Sequence, residues 1–391
     1  MKRSRIFKQI SFVIALSTML GGVSSCSNKL DKETLPSVTT TESVVETTET
    51  TPEETERTLG PNSTAVVTDR IVDLHGQLSV NGVDIVDSNG EKIQLKGMSS
   101  YGLNACAGFF NENTVKTIAE DWGADVIRFA MTTKGNSDDY TSDPDKYYNL
   151  MCECVDFCIA QGIYTIIDWH ILYDGDPNEY KAEAIDFFSR ISEVYKDSPN
   201  VIYEICNEPN GMRFDDESQP VDWDNTIKPY AEEVIAAIRA NDPDNIIIVG
   251  TPTWSQDVDI ASANPISGDN IMYTAHFYAG SHGQELRDKI VTANNNGCAV
   301  FVTEWGTTND SGKGEIYETE TREWIDFLNE RGISWCNWSI GGSDSEKSNA
   351  LKFKSQILTA EEKYLGHWPD DFISTSGLLV RSLILEQETA E

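Results

Sequence analysis

The chain has 391 residues, more than an ordinary single domain, and carries 64 acidic against 30 basic side chains, a formal net charge of −34 at pH 7. That balance weighs against binding DNA or RNA, where affinity comes from cationic contacts to phosphate and release of counterions. It is compatible with a neutral polymer as partner, and by itself the acidity serves solubility.

In chain order, residues 1–26 read as an export signal. Lys2, Arg3, Arg5 and Lys8 precede the apolar run 10–20, which is shorter than the roughly 20 residues of a spanning helix. The ending Gly22-Val-Ser-Ser-Cys26 resembles the lipobox of bacterial lipoproteins, with Cys26 as the lipidated residue. Ordinary secretion after cleavage near Ser25 is the alternative, so the protein is expected at the cell surface or outside the cell, touching membrane only through a lipid on Cys26. Residues 27–70 are rich in Thr, Glu, Ser and Pro with few large apolar side chains, a composition too poor in burial to offset chain entropy, and read as a disordered spacer.

The catalytic-sized remainder, 71–391, opens with alternating residues from His75 to Glu91. Asn81-Gly82 and Asn89-Gly90 mark its turns, as in a short β-hairpin able to plug the end of a barrel. Strands are then expected at 93–99, 124–131, 163–170, 201–208, 245–251, 271–278, 299–305 and 333–339. Helical spacing falls between them at 113–122, 146–160, 180–196, 224–240, 283–296 and 316–331, and a last barrel helix near 376–381. Eight such units imply an α/β fold, the (β/α)8 TIM barrel, as one domain. A doubly wound open sheet competes, but no Gly-rich phosphate loop follows the first strand.

Besides Cys26 there are seven cysteines, at 106, 152, 154, 158, 206, 298 and 336, an odd number without the spacing of a disulfide framework. Several lie in apolar runs and are expected to be small buried hydrophobes, which fits a reducing or anaerobic setting. Cys152, Cys154 and Cys158 invite a metal reading, but no fourth ligand is near and core packing accounts for them. Neither a metal site nor a cofactor is expected.

In a barrel of this kind the active site lies at the C-terminal strand ends. Arg128, His170, Asn207, Glu208, His276, Tyr278, Glu304 and Trp338 all fall there. Each alone has an ordinary structural explanation; their convergence on one rim points to catalysis. Two carboxylates, Glu208 and Glu304, raised to the same face by different strands, are what cleavage of a glycosidic bond requires: one protonates the leaving oxygen while the other attacks or activates water. Their proximity is expected to keep one protonated while the other is ionised, with Arg128 and Tyr278 suited to hold Glu304 as the anion. His170 and His276 are donors for the same pocket, and Asn207 can reach a sugar hydroxyl. Trp338 offers a flat face for a pyranose ring, as does Trp254 on the leaving-group side.

The ordered series Asp168-Trp-His170-Ile-Leu, Val201-Ile-Tyr-Glu-Ile-Cys-Asn207-Glu208-Pro-Asn-Gly211, Ile227-Lys-Pro-Tyr-Ala-Glu-Glu-Val234, Thr253-Trp-Ser-Gln-Asp257, His276-Phe-Tyr278-Ala-Gly, Thr303-Glu304-Trp-Gly306 and Asn337-Trp338-Ser339 resembles glycoside hydrolase family 5, in particular its bacterial endo-β-1,4-glucanases, from about residue 76 onward. The resemblance implies a retaining mechanism on β-linked glucan, with Glu208 matching the acid/base and Glu304 the nucleophile.

The departures from that pattern concern binding. Tyr101 stands where relatives usually have His, Ala105 and Cys106 where aromatics are common, and Thr132 where Tyr is common; the loop from Ile340 to Lys347 is one residue longer than usual. A sugar platform is therefore expected to be missing on the non-reducing side, which leaves xyloglucan, mixed-linkage glucan or mannan as alternative substrates, and a non-catalytic glycan-binding lipoprotein as the rival from a different class. The expected partner is a β-glucan, acted on by a monomer.

Overall fold

The computed structural model describes residues 70–135, 137–213, 219–341, 346–352 and 368–386. The leader with Cys26, the spacer to residue 69 and positions 342–345 of the rim loop lie outside the described residues.

Short runs rich in β-branched and aromatic residues, bounded by polar turns, form the strands. A small antiparallel pair comes first, β1 (Ser79–Asn81) with β2 (Asp84–Val86), turning at Gly82 with φ 65°. Eight parallel strands follow: β3 (Lys96–Ser99), β4 (Val126–Thr132), β5 (Tyr164–His170), β6 (Val201–Glu204), β7 (Ile247–Val249), β8 (Ile271–Tyr278), β9 (Val300–Gly306) and β10 (Trp335–Trp338). They close in the order β10-β3-β4-β5-β6-β7-β8-β9, the expected (β/α)8 barrel.

Strand side chains alternate between two environments, as the period of two demands. Outward-facing Ile127, Phe129, Ile167, Tyr203, Ile247, Tyr273 and Val302 join the large core beneath the helices. Inward-facing Val126, Ile166, Ile202, Ile248, Met272 and Phe301 fill the lower barrel. Leu78 and Ile85 of the hairpin pack into that same lower cluster, each 2% exposed, so the hairpin plugs the N-terminal end as expected. Tyr164 ties it down by donating its hydroxyl to the Gly76 carbonyl (2.7 Å), and Asn270 Oδ1 accepts the Val80 amide (2.9 Å).

The helices follow their local signals. Pro144–Gln161 begins on Asp143, whose carboxylate accepts the Lys146 amide, carries Pro in its first turn and ends at Gly162 in a left-handed conformation. The expected helix over 224–240 is instead a wide turn, Trp223–Ile227, running into the helix Lys228–Arg239; Pro229 has no amide to continue a regular ladder through the junction. Two short helices, Ile71–His75 and Val258–Ala263, carry too few residues to show periodicity in the sequence.

Several strands end sooner than their apolar runs. β6 was expected to reach Glu208 but ends at Glu204: Ile205 still donates to the Ile248 carbonyl (3.0 Å), after which the Asn207 carbonyl accepts the Ser255 hydroxyl (2.6 Å) in place of a strand partner. β7 is shortened at both ends because Asp242 captures the Asn245 amide (3.0 Å) and Ser255 Oγ captures that of Thr251 (3.2 Å). None of the seven described cysteines forms a disulfide; Cys154, Cys158, Cys206, Cys298 and Cys336 are buried, Cys106 and Cys152 partly so.

Because the plug supplies apolar surface that nothing else covers, Ile85→Ala is expected to lower stability by about 2–5 kcal/mol while leaving the upper rim intact. Urea denaturation of the two proteins reads the difference.

Candidate active site

The barrel interior changes character one layer above the apolar filling. Inward positions there carry Arg128 on β4, Asp168 on β5, Glu204 on β6, Thr274 on β8 and Thr303 on β9, all fully buried. Arg128 organises them. Its Nε and Nη2 donate to Glu204 Oε2 (2.6 Å) and Oε1 (3.2 Å), Nη2 also to Asn207 Oδ1 (2.6 Å), and Nη1 to Glu304 Oε2 and the Ser99 hydroxyl, both 3.2 Å. Asp168 Oδ2 lies 2.9 Å from Nη2 and 2.7 Å from His170 Nδ1. A planar guanidinium with five N–H groups suits this fan of acceptors, as an ammonium would not.

Glu304 projects from β9 at the rim, where the Tyr278 hydroxyl donates to its Oε1 (2.8 Å). Gly306 makes room for that contact: a Cβ there would sit 2.4 Å from the Tyr278 ring. Glu208 reaches the same space from the segment beyond β6, and its Oε1 lies 2.9 Å from His276 Nδ1. A carboxylate oxygen of Glu208, a ring nitrogen of His276 and a carboxylate oxygen of Glu304 all fall within 4.8 Å of one another. Retaining glycosidases need carboxyl groups about 5–5.5 Å apart, inverting ones about 6.5–9.5 Å. This pair has the closer spacing.

Burial pushes the Glu208 carboxyl up to about 7, against the opposing pull of His170 and Arg128. The sequence assigned such a shift to the neighbouring carboxylate; the direction agrees, but desolvation is the main cause. His170 and His276 are both pushed down to about 4, mainly by burial, so their rings are neutral near pH 7. Burial raises Asp168 as well, Arg128 opposing it, and its Oδ1 has no protein partner among the described residues.

The remaining expected site residues are distributed around this centre. Asn207 is committed inward on both sides, its Oδ1 accepting from Arg128 and its Nδ2 donating to the Ile171 carbonyl (3.0 Å), which leaves one amide hydrogen for a ligand. Trp338 stacks on His170 with centroids 5.3 Å apart and 5° between planes. Tyr101 packs obliquely against Trp338 (5.6 Å, 48°), and its hydroxyl donates to Glu346 Oε1 (3.3 Å). Trp254 is 37% exposed and sits in three successive left-handed residues, Thr253, Trp254 and Ser255, beside the Glu208 segment: its amide donates to the Pro209 carbonyl (3.3 Å).

Glu204, Asp168 and Thr303 lie in motifs quoted from the sequence, yet received no role there. Their signal was available: a charged or hydroxyl residue at an inward position of an otherwise apolar strand has no solvent to face and must meet a partner. Ser255 and Glu346 carried no such signal, since both belong to polar loops whose paths the tertiary structure decides.

The known proteins similar to this chain point to one family. The family model described as Cellulase (glycosyl hydrolase family 5) matches residues 86–344. The chain is 50% identical over 309 residues to an endoglucanase of Clostridium saccharobutylicum, covering 79% of this chain and 65% of that one. It is 47% identical over 313 residues to endoglucanase 5 of Pectobacterium carotovorum subsp. carotovorum, covering 80% and 58%. The chain thus spans less than two thirds of the length of these relatives. Among solved structures, the catalytic domain of Thermobifida fusca endoglucanase Cel5A superposes with a TM-score of 0.73 at 35% identity, covering 81% of this chain and all of that one. A form of that domain has been solved in complex with cellotetraose. With a matching family model over most of its length and relatives at this identity, the chain belongs to glycoside hydrolase family 5.

Proposed function

We propose that the protein is a retaining endo-β-1,4-glucanase that cleaves internal bonds of cellulose-like β-glucan. The observation that carries this reading is the approach of Glu208 and Glu304 within 4.8 Å across the mouth of the barrel, with one carboxyl raised by burial and the other receiving donors from Arg128 and Tyr278. The names of the endoglucanase relatives and the cellotetraose complex of the Thermobifida fusca domain support the choice of substrate.

Glu304 attacks the anomeric carbon while Glu208 gives its proton to the departing glycosidic oxygen, which leaves a covalent glycosyl-enzyme. Water then enters, Glu208 takes its proton, and the sugar leaves Glu304 with its original β configuration. Arg128 and Tyr278 hold the nucleophile in line, and the remaining Asn207 amide hydrogen faces a sugar hydroxyl. Trp338 serves as a pyranose platform on the glycone side and Trp254 on the leaving-group side. Tyr101, braced by Trp338 and Glu346, lines the glycone side in place of the usual His. His170 orients Trp338 from beneath while Asp168 fixes its ring. A non-catalytic glycan-binding role is disfavoured because nothing required for double displacement is missing. We also take the protein to act as an exported monomer, anchored by a lipid on Cys26 or released.

Glu304→Gln is expected to abolish turnover with the fold retained, and residual activity near wild type would refute the assignment. Glu208→Gln should cost about 10²–10⁴-fold in kcat on glucan; on an aryl cellobioside whose leaving group needs no proton, kcat/KM should largely recover while kcat stays low, because water still lacks its base. NMR of fresh products from defined oligosaccharides should show the β anomer first; a panel of cellulose, xyloglucan, mixed-linkage glucan and mannan then separates the substrate alternatives by new reducing ends.

Since Glu208 must enter the reaction protonated and burial pushes its carboxyl up to about 7, kcat/KM should fall about tenfold per pH unit above that point, the basic limb of a profile whose acid limb reports the ionised nucleophile. A profile that rises through pH 7 would contradict the acid role. Labelling of whole cells with an alkyne-bearing fatty acid should mark the wild type and not Cys26→Ala; no label on either means release.

A further inference from the structure

Beneath the two rim carboxyls a chain of hydrogen bonds runs from Glu208 to a third, fully buried carboxyl. His276 Nδ1 faces Glu208 Oε1 at 2.9 Å, and His276 Nε2 faces Thr303 Oγ1 at 2.9 Å. The Thr303 hydroxyl donates to Glu204 Oε1 at 2.7 Å, and Glu204 is gripped from the other side by Arg128. We infer that ionised Glu204, acting through Thr303, fixes His276 as its Nε2–H tautomer and thereby keeps the proton on Glu208.

The deduction is a count of donors. Glu204 receives Arg128 Nε on one oxygen and Arg128 Nη2 with the Thr303 hydroxyl on the other, an arrangement of donors only, which an ionised carboxylate satisfies and a protonated one does not. Burial, and Asp168 beside it, push the Glu204 carboxyl up, and the Arg128 guanidinium that grips both its oxygens opposes them and holds the charge. With its single proton given to Glu204, Thr303 Oγ1 can only accept from its other neighbours. One of these is Thr274 Oγ1 at 2.5 Å, which itself accepts the Thr303 amide at 3.3 Å and so has its hydroxyl hydrogen to give. The other is His276 Nε2, which must therefore carry hydrogen. Burial keeps the imidazole neutral, so Nδ1 is a bare lone pair. An ionised Glu208 would face that lone pair with another; a protonated Glu208 donates to it.

Among the described residues the groups that act on this chain are Arg128 from β4, Asp168 and His170 from β5, Cys206 and Glu208 beyond β6, His276, Tyr278 and Thr274 from β8, Thr303 and Glu304 from β9, and Cys336 from β10. Among these, Thr303 is the link between Glu204 and the His276 ring. Glu204 and Thr303 are thus positioning residues. Neither faces the substrate; both act on it through the ring that holds the acid. With Thr303 unable to accept, the ring turns over to its Nδ1–H form, which donates to ionised Glu208 and makes the proton easier to lose.

The inference rests on Glu208 as the acid/base, and its test has an arm that does not depend on activity. Long-range ¹H–¹⁵N NMR of the full chain labelled in histidine, with His276 assigned by difference against His276→Asn, should report hydrogen on Nε2 and none on Nδ1. The near-isosteric Thr303→Val should then show the opposite tautomer and, on a soluble cello-oligosaccharide whose departing sugar oxygen must be protonated, move the basic limb of kcat/KM down by about one pH unit, the scale of one hydrogen bond, with KM and the acid side unchanged. Thr303→Ser should restore both. A wild-type ring protonated on Nδ1 overturns the proposal even if the enzyme is active, as does an unmoved basic limb in a Thr303→Val protein whose thermal melt is intact. If that variant does not fold, the wild-type tautomer decides. Failure of the glycosidase reading is a separate outcome, absence of Glu208-dependent turnover, and leaves the tautomer measurement standing.

Discussion

A single buried guanidinium holds the upper barrel together. Arg128 meets Glu204, Asp168, Glu304 and Asn207 at 2.6 to 3.2 Å with no exposure of its own, one cation among three acidic groups. Taking such charges out of water costs several kcal/mol per ion, and only a well-formed set of charge-assisted hydrogen bonds offsets it. The arrangement is therefore poor as a source of stability and well suited to holding geometry. Each carboxyl that leans on Arg128 belongs to a different strand, so the strands cannot shift past one another without breaking the fan.

The two halves of the barrel divide the labour. The lower half is a packed apolar column closed by the hairpin, and Leu78 and Ile85 complete it. The upper half gives up that apolar packing for buried polar groups that bond to one another around Arg128, with Asp168 Oδ1 left over. The proposed roles of Glu208 as proton donor and Glu304 as nucleophile both call for surroundings that water does not relax, and a rigid apolar base beneath a dry polar layer supplies them.

Around this centre the rim shows where the chain differs from its expected pattern. Tyr101 fills its position by packing on Trp338 and reaching Glu346, so this edge of the rim is braced by aromatic and carboxyl groups. On the opposite side the strained left-handed run at Thr253–Ser255 presents Trp254 to solvent, and the Ser255 hydroxyl fastens that run to the Asn207 carbonyl. Backbone strain of this kind persists only where surrounding bonds over-determine it, and here those bonds lead directly to the segment that carries Glu208.

The fold was legible in the sequence because its signals are local and repeated. Apolar strands punctuated by polar ends, helices with Asp at the start and Gly at the close, and turn glycines at 82 and 90 recur often enough to specify eight units, and the polar residues at strand ends named the rim that bears Glu208 and Glu304. Strand lengths were not legible, since β6 and β7 end where Ser255 and Asp242 capture backbone groups from elsewhere in the chain. Nor was the cause of the Glu208 shift, which follows from how deeply the folded barrel buries that carboxyl. The chain from Glu208 through His276 and Thr303 to Glu204 joins residues from three strands. A one-dimensional pattern can say that each of them faces inward; only closure of the barrel decides which of them touch.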